Sequence, residues 1–436
     1  MFLPLWSEVV AMCVPSEAGK SAGSPALLKI TLADFIVRSA YQMGKTPLLP
    51  IFAASLGASD ALLGLIVSVS TLTGMATKPL FGLLSDRMGR RLWLLIGTLI
   101  FAGVPFLYSL IQTPGQLVAI RLLHGTATAI YGPVTVAYVA ERSGKRKAER
   151  LGWFGMARSG GYLVGPAVAG WLLLSLDPVT VFTLIGALSM AAFFPVLWLG
   201  GDGPDFLIKP SFKNSSDRER AVRKDGSLQT IRSFAKREAE LLRTPAVWLS
   251  GALEAAVFVV TYVVKAFLPI YALTAGYSTV EIGLFFSAQE GALILLKPWG
   301  GRLGDRFGHL RAVSLGIFCL ALSLPFLLTA AGTFGLLGVA VVMGAAQALI
   351  FPATVALIAE QVPAGEMGAG MGLAGSLKNG GKVAGPLLGG LLIVGLGYSG
   401  MFWLLAGLLL AGALALFFRI YIVDFAPLSG TQRAKS

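Results

Sequence analysis

The chain has 436 residues, of which 55% are apolar and 13% charged, with a mean hydropathy of +0.76. A soluble domain carries roughly 25% charged residues, so much of this surface must face lipid, and a large water-soluble fold is excluded. The net charge of +13 does not point to nucleic acid, because the basic residues form short clusters between apolar runs and read there as orientation signals.

Residues 1–27 open the chain. They are apolar at first but interrupted by Pro4, Ser7 and Glu8, and no basic stretch precedes them. They read as a cytoplasmic lead-in on the membrane surface rather than a cleaved signal. Twelve apolar stretches of about 20 residues follow, each long enough to cross the hydrocarbon core. Six lie at 28–54, 60–83, 92–111, 116–139, 152–174 and 180–200, within a first bundle at 28–200. A polar linker at 201–246 comes next, either a solvated hinge or a helix lying on the membrane. The remaining six, at 247–273, 279–300, 312–331, 335–359, 370–394 and 399–422, make a second bundle at 247–422, and 423–436 is a tail. The expected fold class is therefore an all-α membrane protein of twelve transmembrane helices in two pseudo-symmetric six-helix bundles.

Lys and Arg concentrate in alternate loops. Arg87, Arg90 and Arg91 follow span two, Arg142, Lys145, Arg146, Lys147 and Arg150 follow span four, and Arg302, Arg306 and Arg311 follow span eight. The intervening loops hold none, so both termini are expected in the cytoplasm, with the protein in the plasma (inner) membrane.

Charges inside the spans are expensive and mark function by default. On span one, Asp34, Arg38, Tyr41 and Lys45 recur at i, i+4, i+7 and i+11, which forms one narrow stripe on a helix. Glu254, Thr261 and Lys265 repeat that stripe on span seven, displaced by 220 residues. Span four adds Arg121, span five Arg158, span eight Glu290, and span eleven Lys378 and Lys382. The bases Arg38, Lys45, Arg121, Arg158, Lys265, Lys378 and Lys382 thus outnumber the acids Asp34, Glu254 and Glu290. Surplus fixed positive charge favours an anionic substrate. Asp34 and Glu254 are the expected proton carriers, since a carboxylate in low dielectric has a raised pKa, with Arg121 modulating and Glu290 in reserve. The rival for Asp34 is a plain pair with Arg38 along the helix. His124 reads as filling a polar helix contact.

The chain repeats itself. Lys78-Pro79, Gly82, Asp86, Arg87 and Gly89 reappear as Lys297-Pro298, Gly301, Asp305, Arg306 and Gly308, each 219 residues on. Pro133 and Glu141 map to Pro352 and Glu360 at the same offset, and Gly165-Pro166 to Gly385-Pro386 one residue later. A duplication of this kind places a substrate site between two halves near the midplane.

Gly82-x3-Asp86-Arg87-x-Gly89-Arg90-Arg91 resembles the signature loop of the major facilitator superfamily, where it latches the cytoplasmic side. The resemblance gives that role to these residues and to Gly301, Asp305, Arg306 and Gly308. Arg121-x3-Gly125 resembles the family's second motif, tied to proton coupling. Gly161-x3-Gly165-Pro166-x3-Gly170 resembles the antiporter motif of the twelve-helix drug:proton exporters and recurs as Gly381, Gly385, Pro386 and Gly389. The second half departs from the pattern: His309 and Leu310 stand where Arg90 and Arg91 do, and Ala340 replaces Arg121.

These readings imply a secondary transporter working by alternating access, with proton-coupled export of an organic anion or acidic amphiphile. A multidrug exporter of lipophilic cations or neutral drugs, and a lipid flippase or sensor on the same scaffold, are the alternatives. The expected partners are a small-molecule substrate, protons and membrane lipid, with no nucleic acid, and the chain is expected to be a monomer, as is usual in the family. No cofactor, metal site or catalytic residue is expected. Gly19-Lys20-Ser21 lacks the glycine a phosphate loop needs at position 14, which is Val14, and the histidines and cysteines form no cluster.

Overall fold

The computed structural model describes residues 24–199, 244–363 and 366–425. The lead-in, the tail after 425 and the possible surface helix within 201–243 lie outside the described residues. Among the described residues every regular element is helical. Helix α1 (Ser24–Met43) runs into a π-helical turn at Gly44–Leu48 and continues as α2 (Leu49–Ser55). Then come α3 (Asp60–Met88), α4 (Arg90–Leu107), α5 (Pro114–Arg142), α6 (Lys147–Leu172), α7 (Pro178–Met190) and α8 (Phe193–Leu197). After the linker follow α9 (Pro245–Thr274), α10 (Thr279–Phe307), α11 (His309–Thr329), α12 (Gly332–Gln361) and α13 (Met367–Phe425). Helix α13 is interrupted at Gly397, whose φ of 68° an L side chain rarely adopts.

Helix thus occupies each of the twelve expected stretches. Hydropathy alone recovers fewer: eight described helices are long and apolar enough to cross a membrane, α13 counting once. The path Ser24–Ser55 and helices α5 and α6 fall outside that set. These are the helices that carry Asp34, Arg38, Lys45, Arg121 and Arg158, so interior charge lowers their hydropathy while length still suits a span.

Local chemistry sets the ends. Ser59 caps α3, and Thr113 with Gln116 closes a reciprocal capping box on α5. The duplication is visible in the turns: Gly57 and Gly276 both have positive φ, as do Gly89 and Gly308, and each pair is 219 residues apart.

The described helices sort into two compact units, one formed from residues 24–199, 262–287 and 382–391, the other from 244–261, 288–363, 366–381 and 392–425. In the first, α1 lies along α6, and α3 and α4 pack on α5, around a core that includes Ile30, Val37, Phe101, Ile130, Tyr131 and Val134. In the second, α11 pairs with α12.

Small residues permit the closest helix contacts. A Cβ on Gly165 would stand 2.8 Å from Gln42 Cβ and 3.0 Å from the Met43 nitrogen, and one on Gly161 3.0 Å from the Ser39 nitrogen. Gly170 meets the backbone at Thr279 and Gly283, and Gly389 would place a Cβ 2.9 Å from the Phe267 ring. Within the second unit Gly381 lies against the backbone of Ala255. Pro166 and Pro386 sit inside helices α6 and α13, as does Gly385 in α13.

Candidate functional site

Each unit contains a buried acid paired with a base, with a threonine hydroxyl bonded to one member of the pair. In the first, Arg158 Nε and Nη2 donate to Asp34 Oδ2 and Oδ1 at 2.8 and 2.9 Å. Arg158 Nη2 also donates to the Thr135 hydroxyl at 2.9 Å, and Arg38 Nε stands 3.7 Å from Asp34 Oδ1. The in-helix pairing weighed for Asp34 is therefore present but secondary, because the forked guanidinium of Arg158 matches both carboxylate oxygens. The Asp34 side chain is 1% exposed.

In the second unit, Lys378 Nζ lies 3.1 Å from Glu254 Oε2, and the Thr354 hydroxyl donates to Glu254 Oε1 at 2.7 Å. Glu254, Lys378 and Thr354 are the repeat mates of Asp34, Arg158 and Thr135, at offsets of 220, 220 and 219. The two clasps differ in strength. A single ammonium replaces the two-pronged guanidinium, and the Lys378 side chain is 34% exposed against 22% for Arg158. Thr261, from the same stripe as Glu254, accepts a hydrogen bond from Gln347 Nε2 at 3.0 Å. Glu290 is half-buried and makes no ion pair among the described residues.

The remaining bases gather in the first unit. Arg121 is fully buried and donates to the Ser70 hydroxyl at 2.5 Å. Lys45, held on the π-helical turn, is buried with its Nζ 5.7 Å from the Tyr41 ring and 4.8 Å from the Tyr262 ring. Lys265 and Lys382 approach Tyr262 as well. His124 packs edge-on against Tyr41 and Phe101, and its ring nitrogens meet no hydrogen-bond partner among the described residues, so it does not fill a polar helix contact.

At the signature loops, Arg90 ties its own half together. It pairs with Asp86, donates to Glu141 Oε1 at 2.8 Å from Nη2, and donates to the Ser85 hydroxyl at 2.6 Å from Nη1. Arg91 donates to the Leu197 carbonyl at 2.7 Å, while Arg87 is exposed. His309 takes the place of Arg90 in the second unit, with Nε2 3.1 Å from Glu360 and 4.0 Å from Asp305. Arg306 is exposed over the Phe307 ring, and Gly82 and Gly301 are half-buried on their helices.

Three participants escaped the sequence reading. Thr135 and Thr354 fall on the 219-residue offset, so a comparison of polar repeat mates would have exposed them. Tyr262 has no such signal, because its repeat mate is Gln42.

Among the described residues the elements are helical, and eight helices are long and apolar enough to cross a membrane, as in an integral membrane protein. The chain belongs to the Major Facilitator Superfamily, whose profile matches residues 35–292 and 257–435. It is 24% identical over 358 residues to an uncharacterized transporter of this type from Methanocaldococcus jannaschii, covering 82% of this chain and 88% of that one. It is 26% identical over 370 residues to multidrug resistance protein MdtG of Proteus mirabilis, covering 83% and 87%. Its fold resembles the crystal structure of the nucleoside transporter NupG, with a TM-score of 0.69 at 15% identity over 91% of this chain and 99% of that one. The peptide transporter POT, in complex with sulfate, aligns with a TM-score of 0.70 at 16% identity over 94% and 96%.

Proposed function

We propose that this secondary transporter exports a small organic anion or acidic amphiphile in exchange for protons, by alternating access of two six-helix halves at 28–200 and 247–422. The carrying observation is the charge balance of the first unit. Arg38, Lys45, Arg121, Arg158, Lys265 and Lys382 sit well inside its helices, and Asp34 is the one acid placed equally deep among the described residues. Lys45, Arg121 and Lys265 pair with no carboxylate among the described residues; such charge is costly to bury, and an anionic substrate supplies the counter-ion.

Twelve spans, cytoplasmic termini, residence in the inner membrane and a monomeric state complete the proposal, and likeness to the drug:proton antiporters rests on the Gly161–Gly170 motif. The Proteus mirabilis relative is named a multidrug resistance protein, which accords with outward transport. For the coupling proton Glu254 is the better carrier of the two acids. Its ammonium partner is the more exposed, so water and protons reach that clasp more readily. Asp34 is fastened by two guanidinium groups, those of Arg158 and Arg38. Arg121 sets the local field, and the loops at Asp86–Arg91 and Asp305–His309 latch the cytoplasmic side.

Export of a lipophilic cation is a second reading, favoured by one observation: the half-buried carboxyl of Glu290 lacks an ion pair among the described residues. Inverted vesicles loaded with a pH-sensitive dye separate the two. Pooled organic anions are expected to dissipate the proton gradient, and E254Q to abolish that response. Dissipation by lipophilic cations alone would refute the anion reading.

A further inference from the structure

Three ammonium groups of the first unit converge on one aromatic ring. Lys45 Nζ lies 4.8 Å from the Tyr262 ring centroid, Lys265 Nζ 5.8 Å and Lys382 Nζ 5.9 Å. Neither Lys45 nor Lys265 forms an ion pair with a carboxylate among the described residues. Arg121, near enough to act electrostatically on Lys45, has none either. A ring face attracts a cation but is a weak substitute for a counter-charge in a site poor in water.

The chemistry of these donors narrows the anion. The forked guanidinium matches carboxylate and phosphate alike, while an ammonium is a compact point charge with three rotatable donors that takes phosphoryl oxygens without a fixed plane. Two lysines without acidic partners also call for more than one negative charge. A phosphomonoester carries about two above its second pKa of about 6, while a sulfate ester of the same shape carries one. The Tyr262 ring offers a flat apolar surface to the body of the molecule.

We infer that Lys45, Lys265 and Tyr262, with Lys382 beside them, seat the doubly charged phosphoryl group of an organic phosphomonoester. This rests on the anionic-substrate reading above and names its chemical class. Either a soluble ester or a lipid headgroup offers the group.

The test measures binding to the purified full-length protein in detergent at pH 7.5, with phenyl phosphate and phenyl sulfate as a matched pair. Phenyl phosphate is expected to bind at least about 10-fold more tightly. That preference is expected to fade as pH drops below about 6, where the ester loses its second charge. K265Q, at a half-buried position, and K45Q should each weaken phenyl phosphate by about 10-fold or more. Y262L should weaken it and Y262F should not, and K29Q, half-buried with its ammonium on the Trp198 carbonyl, serves as the control.

Short-chain phosphatidic acid is the lipid arm. Tighter binding of it than of phenyl phosphate assigns the site to a lipid headgroup, and the reverse to a soluble ester. Equal binding of the phosphate and the sulfate would overturn the phosphoryl assignment and leave the anion reading standing. An equal loss in K29Q would reduce the effect to general charge and overturn it too. Binding of tetraphenylphosphonium with neither ester would remove the anion reading itself.

Discussion

Replacing Asp34 by Asn removes a carboxylate that faces two guanidinium groups. Its side chain is 1% exposed, receives two hydrogen bonds from Arg158 and lies 3.7 Å from Arg38. Breaking a buried pair from one side costs about 3–5 kcal/mol, because the surviving charge is left without compensation. Arg158 retains some access to solvent, so the lower end, about 3 kcal/mol, is expected here. At an unfolding entropy of roughly 2 cal/mol/K per residue, a chain of this length melting as one unit loses about 3 °C. The assay is thermal unfolding in detergent of D34N, R158M and the double variant D34L/R158M. Both single variants should melt lower, and the double should return toward the parent because no unpaired charge remains of that pair. A D34N protein that melts within about 1 °C of the parent, against the expected shift, would refute the reasoning. So would a double variant whose loss is the sum of the two singles.

The second clasp predicts smaller effects. T354V deletes the hydroxyl that bonds Glu254 and should cost about 1 kcal/mol, with K378Q less damaging than R158Q by the same thermal assay. Gly165→Ala forces a methyl against the backbone of α1 and should cost about 1–3 kcal/mol, whereas Gly155→Ala, with open space around it, should be neutral or stabilising. At the second-unit latch an imidazole faces Glu360 and Asp305, with Arg311 on its own helix. H309A should remove the contact with Glu360 and slow transport, and an unchanged rate would count against the latch. At the head of α7, the Thr180 hydroxyl and amide hold the Asp177 carboxyl below its ordinary range. That cap is therefore complete at neutral pH and is lost as pH falls through the depressed value, which amide exchange at Thr180 reads directly. D177A should remove the protection at every pH.

The helices were legible because lipid demands long apolar runs and because Gly57, Gly89, Gly276 and Gly308 mark turns that only certain backbones make. The stripe on α1 was legible for the same reason, since charge inside an apolar helix stands out. Which base would hold which acid was not. Asp34 has Arg38 one turn away, yet it binds Arg158 more closely, 124 residues on, because helix packing rather than sequence spacing decides the reach. Threonines escaped notice because they are tolerated in any membrane helix, and only the contact with Asp34's and Glu254's partners or with the acid itself gives Thr135 and Thr354 a role. Tyr262 was hidden differently: an aromatic residue on an apolar span looks like core until three ammonium groups are found around it.

The two clasps also say something about ancestry. One copy keeps a short acid with a long planar base, the other a longer acid with a linear base, while threonine stays the same in both. Moving from either combination to the other by single changes passes through a mismatched stage, with a gap or a crowded charge. The heritable element is therefore the pair and not the residue. A chimera that exchanges α1 for α9 without also exchanging α6 for the start of α13 should inherit the mismatch, while one that carries both members across should be spared it.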